Sequence, residues 1–366
     1  MRSRLTFVVL LLLAVRVWAA EPANVLLYEC RPARAAPVLD GTLADPCWQG
    51  LPLMEGFFQY WSPVPKPPAL RTVARLCYDT RALYVGITLY DDKVEAIRRE
   101  ITGRDNPNTW QDDCVEVMVD PLCSGTGYRK FTTNFNAARL DEKMTDMVGD
   151  AGWNAEGWQV HTSRDAGAWY IELLVPWADV ESTPRDGDLW AFDLVRYGYS
   201  SGGFRGVTWS PGGSYAAPQN FGFLHFGAFR PSDAYQLQKL AQVVGRTRGR
   251  EFRVFVSGQV LTHTATGWQS EPLSAWVGRE GRQAEQALNA AAEGLAGVPE
   301  GENRQRLTQE LEHAREQVRG LQLRVRETGA WNASAALLLR ADCQALAAKL
   351  ADLRWEGLLW ALLARS

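Results

Sequence analysis

The sequence predicts a mainly β protein, an immunoglobulin-like or jelly-roll-type antiparallel sandwich followed by a C-terminal α-helical hairpin or three-helix bundle. Between about residues 37 and 228, short apolar or alternating runs recur between turn-rich loops, the pattern of a sandwich. After about residue 273 strand-type runs stop, and apolar residues recur at four-three spacing, the pattern of packed helices. At the other end, Arg2 and Arg4 precede an apolar run over residues 5–15, and Val17-Trp18-Ala19 supplies small residues for cleavage. Residues 1–20 therefore read as a signal peptide, its apolar run too short to span a bilayer. The mature chain is expected in the secreted or periplasmic space. Arg16, close to the cleavage point, leaves an uncleaved anchor as the alternative.

The strands follow in order. Residues 83–90 form an apolar run ending in Asp91-Asp92. Residues 114–119 form another, bounded by Asp112-Asp113 and Asp120-Pro121. Residues 128–135 and 158–162 continue the series. The run over 169–175 meets Pro176, which lacks the amide donor a ladder needs. Residues 189–196 alternate large apolar and polar side chains, as a half-buried strand does. These strands place a sandwich domain over residues 21–230. A connecting segment over 231–273 follows, with an edge hairpin at 251–256 and 261–263; residues 234–244 read equally as helix or strand.

Residues 274–366 form the helical extension, with breaks at 294–303 and 328–332. Leu307, Leu311, Ala314, Val318, Leu321 and Val325 line one stripe, and Leu339, Cys343, Leu346, Leu350 and Leu353 line the next. Ala284, Leu288, Ala291 and Leu295 complete a coiled-coil-like, antiparallel bundle. Trp355, Leu359 and Leu363 widen the last apolar face, so self-association or a partner protein at the helices is expected. The sandwich is expected to fold without this tail.

Composition removes several function classes. The 39 basic and 42 acidic residues are interspersed and give a net charge of −3, which offers nothing to nucleic acid. No segment after the signal is long and apolar enough to span a membrane. Cys30, Cys47, Cys77, Cys114, Cys123 and Cys343 show no paired zinc spacing, and their disulfide pairing stays open. None of the four histidines neighbours a nucleophile motif. Fifteen tryptophans are many for this length, and any surplus on loops would suit a sugar-binding surface.

Six motifs stand in one order. Asp40-Gly41-x-Leu43-x-Asp45 leads to Trp48, and Tyr78-Asp79 precedes the 83–85 strand. Asp113-x-Val115-Glu116-Val117 runs to Asp120; Tyr128 and Asn134 follow; Trp169, Glu172, Pro176 and Trp177 come next. Trp209-Ser210-Pro211 and the run over 218–226 close the series. From about Val38 to Phe226 this resembles carbohydrate-binding module family nine and its DOMON-like relatives. The resemblance implies a sandwich that grips a sugar between two tryptophans, with amide and charged side chains on its hydroxyls. A pyranose needs this combination, because its C–H faces pack on aromatic rings while its rim needs directed polar groups.

By that resemblance Trp110 and Trp209 are the candidate clamp, with Gln111, Asn134, Asn136, Arg196 and Asn220 as polar partners. Arg196 also reads as a strand-end charge paired with a nearby aspartate. The implied partner is a glycan or oligosaccharide, and the implied role is non-catalytic, in support of polysaccharide breakdown. Asp79, Asp91, Asp92, Asp112 and Asp113 cluster at strand ends and form a candidate calcium set, with solvated turn residues as the alternative. Glu116 and Glu172 are conceivable as a glycosidase pair, but the motif places both at structural strand positions. Two other readings stay open. One is a haem-binding DOMON-like domain using Met118, Met144, Met147 or His161; the other is a structural or adhesion protein that assembles through its helices.

Overall fold

The computed structural model describes residues 21–150, 152–327 and 331–365. The signal peptide expected at 1–20 lies outside the described residues, as do residues 328–330 of the second interhelical break. β1 (Ala23–Pro32) precedes every strand the sequence led us to expect. There follow β2 (Phe58–Gln59), β3 (Thr72–Tyr78), β4 (Ala82–Tyr90), β5 (Cys114–Asp120), β6 (Gly127–Asn134), β7 (Arg139–Thr145) and β8 (Val148–Asp150). Then come β9 (Gln159–Arg164), β10 (Ala168–Pro176), a single helical turn α1 (Trp177–Val180), β11 (Leu189–Gly198), β12 (Arg205–Thr208) and β13 (Gly222–Phe226).

The first layer runs β8-β7-β6-β5-β11-β13-β1, and the second runs β3-β4-β10-β9. Pairing is antiparallel except at β1, which joins three sheets by parallel contacts. Residues 27–30 pair with β13, residues 31–32 with β3, and residues 23–26 with β14 (Phe252–Val256). Alternation decides what each face buries. Val115, Val117, Val119, Phe131, Phe192 and Leu194 point between the layers and meet Val85, Ile87, Leu89, Ile171 and Leu173. Cys114, Glu116, Met118, Lys130 and Tyr197 therefore fall on the outer face of the first layer.

The opening motif has a physical cause. Glu172, buried on the outer face of β10, accepts hydrogen bonds from the backbone N–H groups of Asp40 and Gly41 at 2.9 and 2.7 Å. It also accepts one from Trp48 Nε1 at 2.9 Å. Gly41 has φ +81°, and a Cβ there would lie 2.6 Å from the Thr162 carbonyl carbon, so only glycine fits. Trp48 in turn lies over Gly86.

Residues 231–273 resolve into one helix and a small sheet. α2 (Ala234–Arg248) is capped by Asp233, whose side chain accepts from Tyr235 and Gln236 N–H. β14 pairs with β15 (Gln259–Thr264), which pairs with β16 (Gly267–Pro272). Together α2, this sheet and the 209–221 loop cover one end of the outer face, where Met118, Val195, Phe221, Leu240 and Phe252 form a second core.

α3 (Leu273–Leu295), α4 (Glu302–Glu327) and α5 (Ala333–Leu363) form the expected antiparallel bundle, with ion pairs Arg306–Glu356 and Arg324–Asp342 at opposite ends of α4. The seam residues Leu307, Ala314, Leu339 and Leu350 are fully buried. α3 and α5 cross closely at glycines, because a Cβ on Gly357 would lie 2.8 Å from the Gly294 carbonyl oxygen. Trp355, Leu359 and Leu363 remain exposed on α5. The apolar core does not stop at the expected boundary near residue 273. Trp276 of α3 is fully buried, with its ring 5.2 Å from that of Phe255 on β14, and one continuous cluster runs from the sandwich into the helices.

Candidate aromatic cleft

Beyond the second core, the outer face of β5, β6, β7 and β11 stays open as a cleft of about 640 Å³. Three loops supply its aromatic walls. Trp61 follows the short β2, Trp110 precedes β5, and Phe204 lies between β11 and β12; they are 58%, 48% and 48% exposed. Tyr197, Tyr199 and Tyr215 complete the lining. Trp61 stands at φ +60°, a left-handed conformation that costs a β-carbon-bearing residue about 1 kcal/mol or more. Its ring packs edge-on to Tyr215 at 5.7 Å and against Tyr60 at 4.8 Å, so one side of a large indole is held facing solvent.

Cross-strand register builds the floor. Lys130 sits opposite Glu142 on β7 and diagonal to Glu116 on β5. Its ammonium lies 2.6 Å from Glu142 and 3.7 Å from Glu116. Tyr197 donates to Glu116 Oε2 at 3.1 Å, and its hydroxyl lies 3.2 Å from that of Tyr60. Burial raises the Glu116 carboxyl above its ordinary range. Burial alone would lower the Lys130 ammonium, but the two carboxylates outweigh it and the net shift is upward. The arrangement offers stacking faces around a small set of fixed polar groups.

One wall depends on a buried acid. Asp193 accepts from Thr208 Oγ1 at 2.7 Å and from Ser210 N–H at 3.0 Å, tying down the start of the loop that carries Tyr215. Tyr128 holds that loop further along by donating to the Tyr215 carbonyl at 2.5 Å. Burial pushes the Asp193 carboxyl up to about 7. A folded pKa above the unfolded one means that the folded state binds more protons between about pH 4 and 7, so stability falls as pH rises through that window. Asp193→Asn should therefore look more favourable relative to wild type at pH 8 than at pH 4, by on the order of a few kcal/mol. Urea melts at both pH values check it; an identical difference at the two would refute the assignment.

The structure separates the residues that the sequence grouped. Trp110 lines the cleft. Trp209 does not: it is 4% exposed, packs edge-on to Phe192 at 6.1 Å and lies against Gly222, so it offers no face to a sugar. The second exposed tryptophan of the cleft is Trp61. Arg196 lies on the inner face, fully buried and paired with Asp91 at 3.0 Å, as its alternative reading held. Asn134 is buried, donating to Ile101 O and Asp112 and accepting from Asn136 and Ala138 N–H. Asn136 donates to Arg99 O, Gln111 to Asn108, and Asn220 to Gly212 O. None of these five polar residues lines the cleft.

Four of the five candidate calcium carboxylates, Asp79, Asp91, Asp112 and Asp113, accept hydrogen bonds from backbone N–H groups. Asp79 accepts from Arg81 and Ala82 N–H, Asp112 from Glu100 and Ile101 N–H, and Asp113 from Arg98 and Tyr199 N–H. Asp91 is paired with Arg196 and Ser200, while Asp92 is exposed. Among the described residues no three His, Cys, Asp or Glu side chains gather as a metal site. Of the candidate haem ligands, Met118 and Met144 are buried in the second core, Met147 is exposed, and His161 sits on β9 in the other layer. Glu116 and Glu172 occupy opposite outer faces of the sandwich and cannot act on one bond.

Comparison with known structures returns a carbohydrate binding module family 9 from Caldicellulosiruptor kristjanssonii in complex with cellotriose, at 16% identity and a TM-score of 0.41. That match covers 57% of this chain and 97% of the other. The glucose complex of a family 9 module from the same organism matches at 16% identity and TM-score 0.41, over 58% and 99%. A candidate carbohydrate-binding protein from Bacteroides uniformis matches at 18% identity and TM-score 0.44, over 56% and 99%. No curated protein matches significantly. The model of the carbohydrate family 9 binding domain-like family matches residues 39–226, just over half of the 366 residues, and the chain belongs to that family.

Proposed function

We propose that this chain is an exported, non-catalytic carbohydrate-binding protein that stacks a sugar between Trp61 and Trp110 in the outer-face cleft. The observation that carries the reading is the pair of exposed indoles flanking a floor of fixed polar groups, one of them held in a conformation the backbone alone would avoid. Glu142 and Lys130 would meet sugar hydroxyls, and the tyrosine hydroxyls would extend that set. The neighbours' cellotriose and glucose indicate the kind of ligand to try first. The helical bundle, with Trp355, Leu359 and Leu362 exposed, is assigned to association with other chains.

Trp61→Ala and Trp110→Ala should each weaken binding of a cello-oligosaccharide by about 1–3 kcal/mol while leaving the melting temperature nearly unchanged. Trp209→Ala should do the reverse, lowering the melting temperature as a buried aromatic does. Calorimetric titration beside a thermal melt separates the two outcomes. Wild-type affinity in both loop variants would refute the site.

A further inference from the structure

We propose that the cleft prefers sugars bearing a free amine and rejects uronic acids, a refinement that rests on the glycan-binding reading above. Its lining holds two carboxylates, Glu116 and Glu142, and a single ammonium, Lys130. Lys130 is spent on both carboxylates, 2.6 Å from Glu142 and 3.7 Å from Glu116, and its side chain is only 11% exposed. The Glu142 side chain, by contrast, is 30% exposed at the edge formed by β7. Arg98, outside the lining, lies over the Tyr199 ring at 5.8 Å, with its Nε 3.6 Å from Glu100 and 3.9 Å from Asp112.

An incoming carboxylate thus finds no cation among the lining residues beyond the paired Lys130, and meets Glu142 first. A protonated amine gains Glu142 and the faces of the surrounding aromatic rings, which attract cations in a partly desolvated site. Lys130 balances only one of the two carboxylates, so by formal charge the trio carries one negative charge in excess; Glu116 lies deeper, held by Tyr197, and contact with the ligand is therefore placed on Glu142. At a mouth this wet, one unbalanced charge at contact distance changes affinity by about five- to tenfold at low salt.

The test is titration calorimetry of the full chain with chitosan, cello- and galacturonan oligosaccharides of equal length, at low salt and mildly acidic pH where the amine is protonated. The chitosan oligomer should bind about five- to tenfold tighter than the cello-oligomer, with the galacturonan oligomer weakest. Added salt should shrink the gap, and Glu142→Gln should bring the chitosan-to-cello ratio towards one. The salt series on the wild-type chain reads the same charge effect without relying on a variant. Cello-oligosaccharide binding with no charge order, or an order that neither salt nor Glu142→Gln moves, overturns this inference and leaves the site intact. Failure of every oligosaccharide to bind overturns both.

Discussion

Arg196→Ala should cost about 3–5 kcal/mol of stability, because it strands a buried carboxylate. Arg196 and Asp91 have fully buried side chains and lie 3.0 Å apart between the layers. The guanidinium also donates to the Tyr90 carbonyl at 2.8 Å, and Ser200 Oγ donates to Asp91 at 2.8 Å. Burial lowers the Arg196 pKa to about 10, still far above neutrality, so the guanidinium is charged under ordinary conditions. Removing the arginine leaves Asp91 with the Ser200 hydroxyl and the Lys93 N–H as donors and takes away its paired guanidinium. Replacing both partners, Arg196→Met with Asp91→Leu, should recover most of the loss, since an apolar pair has nothing to desolvate. Urea unfolding reads both variants. A loss below about 1 kcal/mol for Arg196→Ala would show that water reaches the pair. A sugar-binding role for Arg196 requires a different result, lost affinity at unchanged stability.

The fold was legible where a motif residue has a local job. Asp40-Gly41 and Glu172 lie far apart in the chain, yet the glutamate exists to satisfy the turn's amides and the Trp48 indole, so the motif and its partner strand imply one another. Asp112 and Asp113 were legible as a pair but not in role. They fold the 98–101 segment by accepting its N–H groups, and nothing in a run of carboxylates distinguishes that from calcium binding. β1 escaped notice because it joins three sheets. Its residues 25–30 are buried without alternation, so the two-residue period that marks a strand is lost.

The site was half legible for a similar reason. Trp61-Ser62-Pro63 and Trp209-Ser210-Pro211 are the same tripeptide, one on the cleft and one in the core. What separates them is tertiary: Gly222 leaves room for the Trp209 ring, whereas the left-handed turn at Trp61 holds its ring out. The proline-rich stretch after Trp61 was the available signal for an exposed loop. Glu116, Lys130 and Glu142 meet only through the register of three strands, which composition and spacing do not specify.

A fragment comprising residues 21–272 should melt about 10–20 °C below the full chain. The sandwich motifs close by Phe226, but the apolar cluster continues through Leu26, Phe255 and Val260 into α3 and α5. Removing the helices uncovers the face on which Trp276 packs, and losing the burial of two or three large side chains forfeits about 5 kcal/mol. For a domain of this size that corresponds to a shift of about 10–20 °C. Polar ties break as well. Arg340 of α5 pairs with Glu21, and Asn332 donates to Glu55. A Cβ on Gly56 would lie 2.4 Å from that of Ser334, so the start of α5 sits directly on the sandwich. The cleft lies away from these contacts, so any fragment that remains folded should bind sugar as the full chain does. An unchanged melting temperature would mean that the helices rest on the sandwich without stabilising it. A lower melting temperature that adding the separate helical segment restores would assign the loss to this interface rather than to a damaged β16.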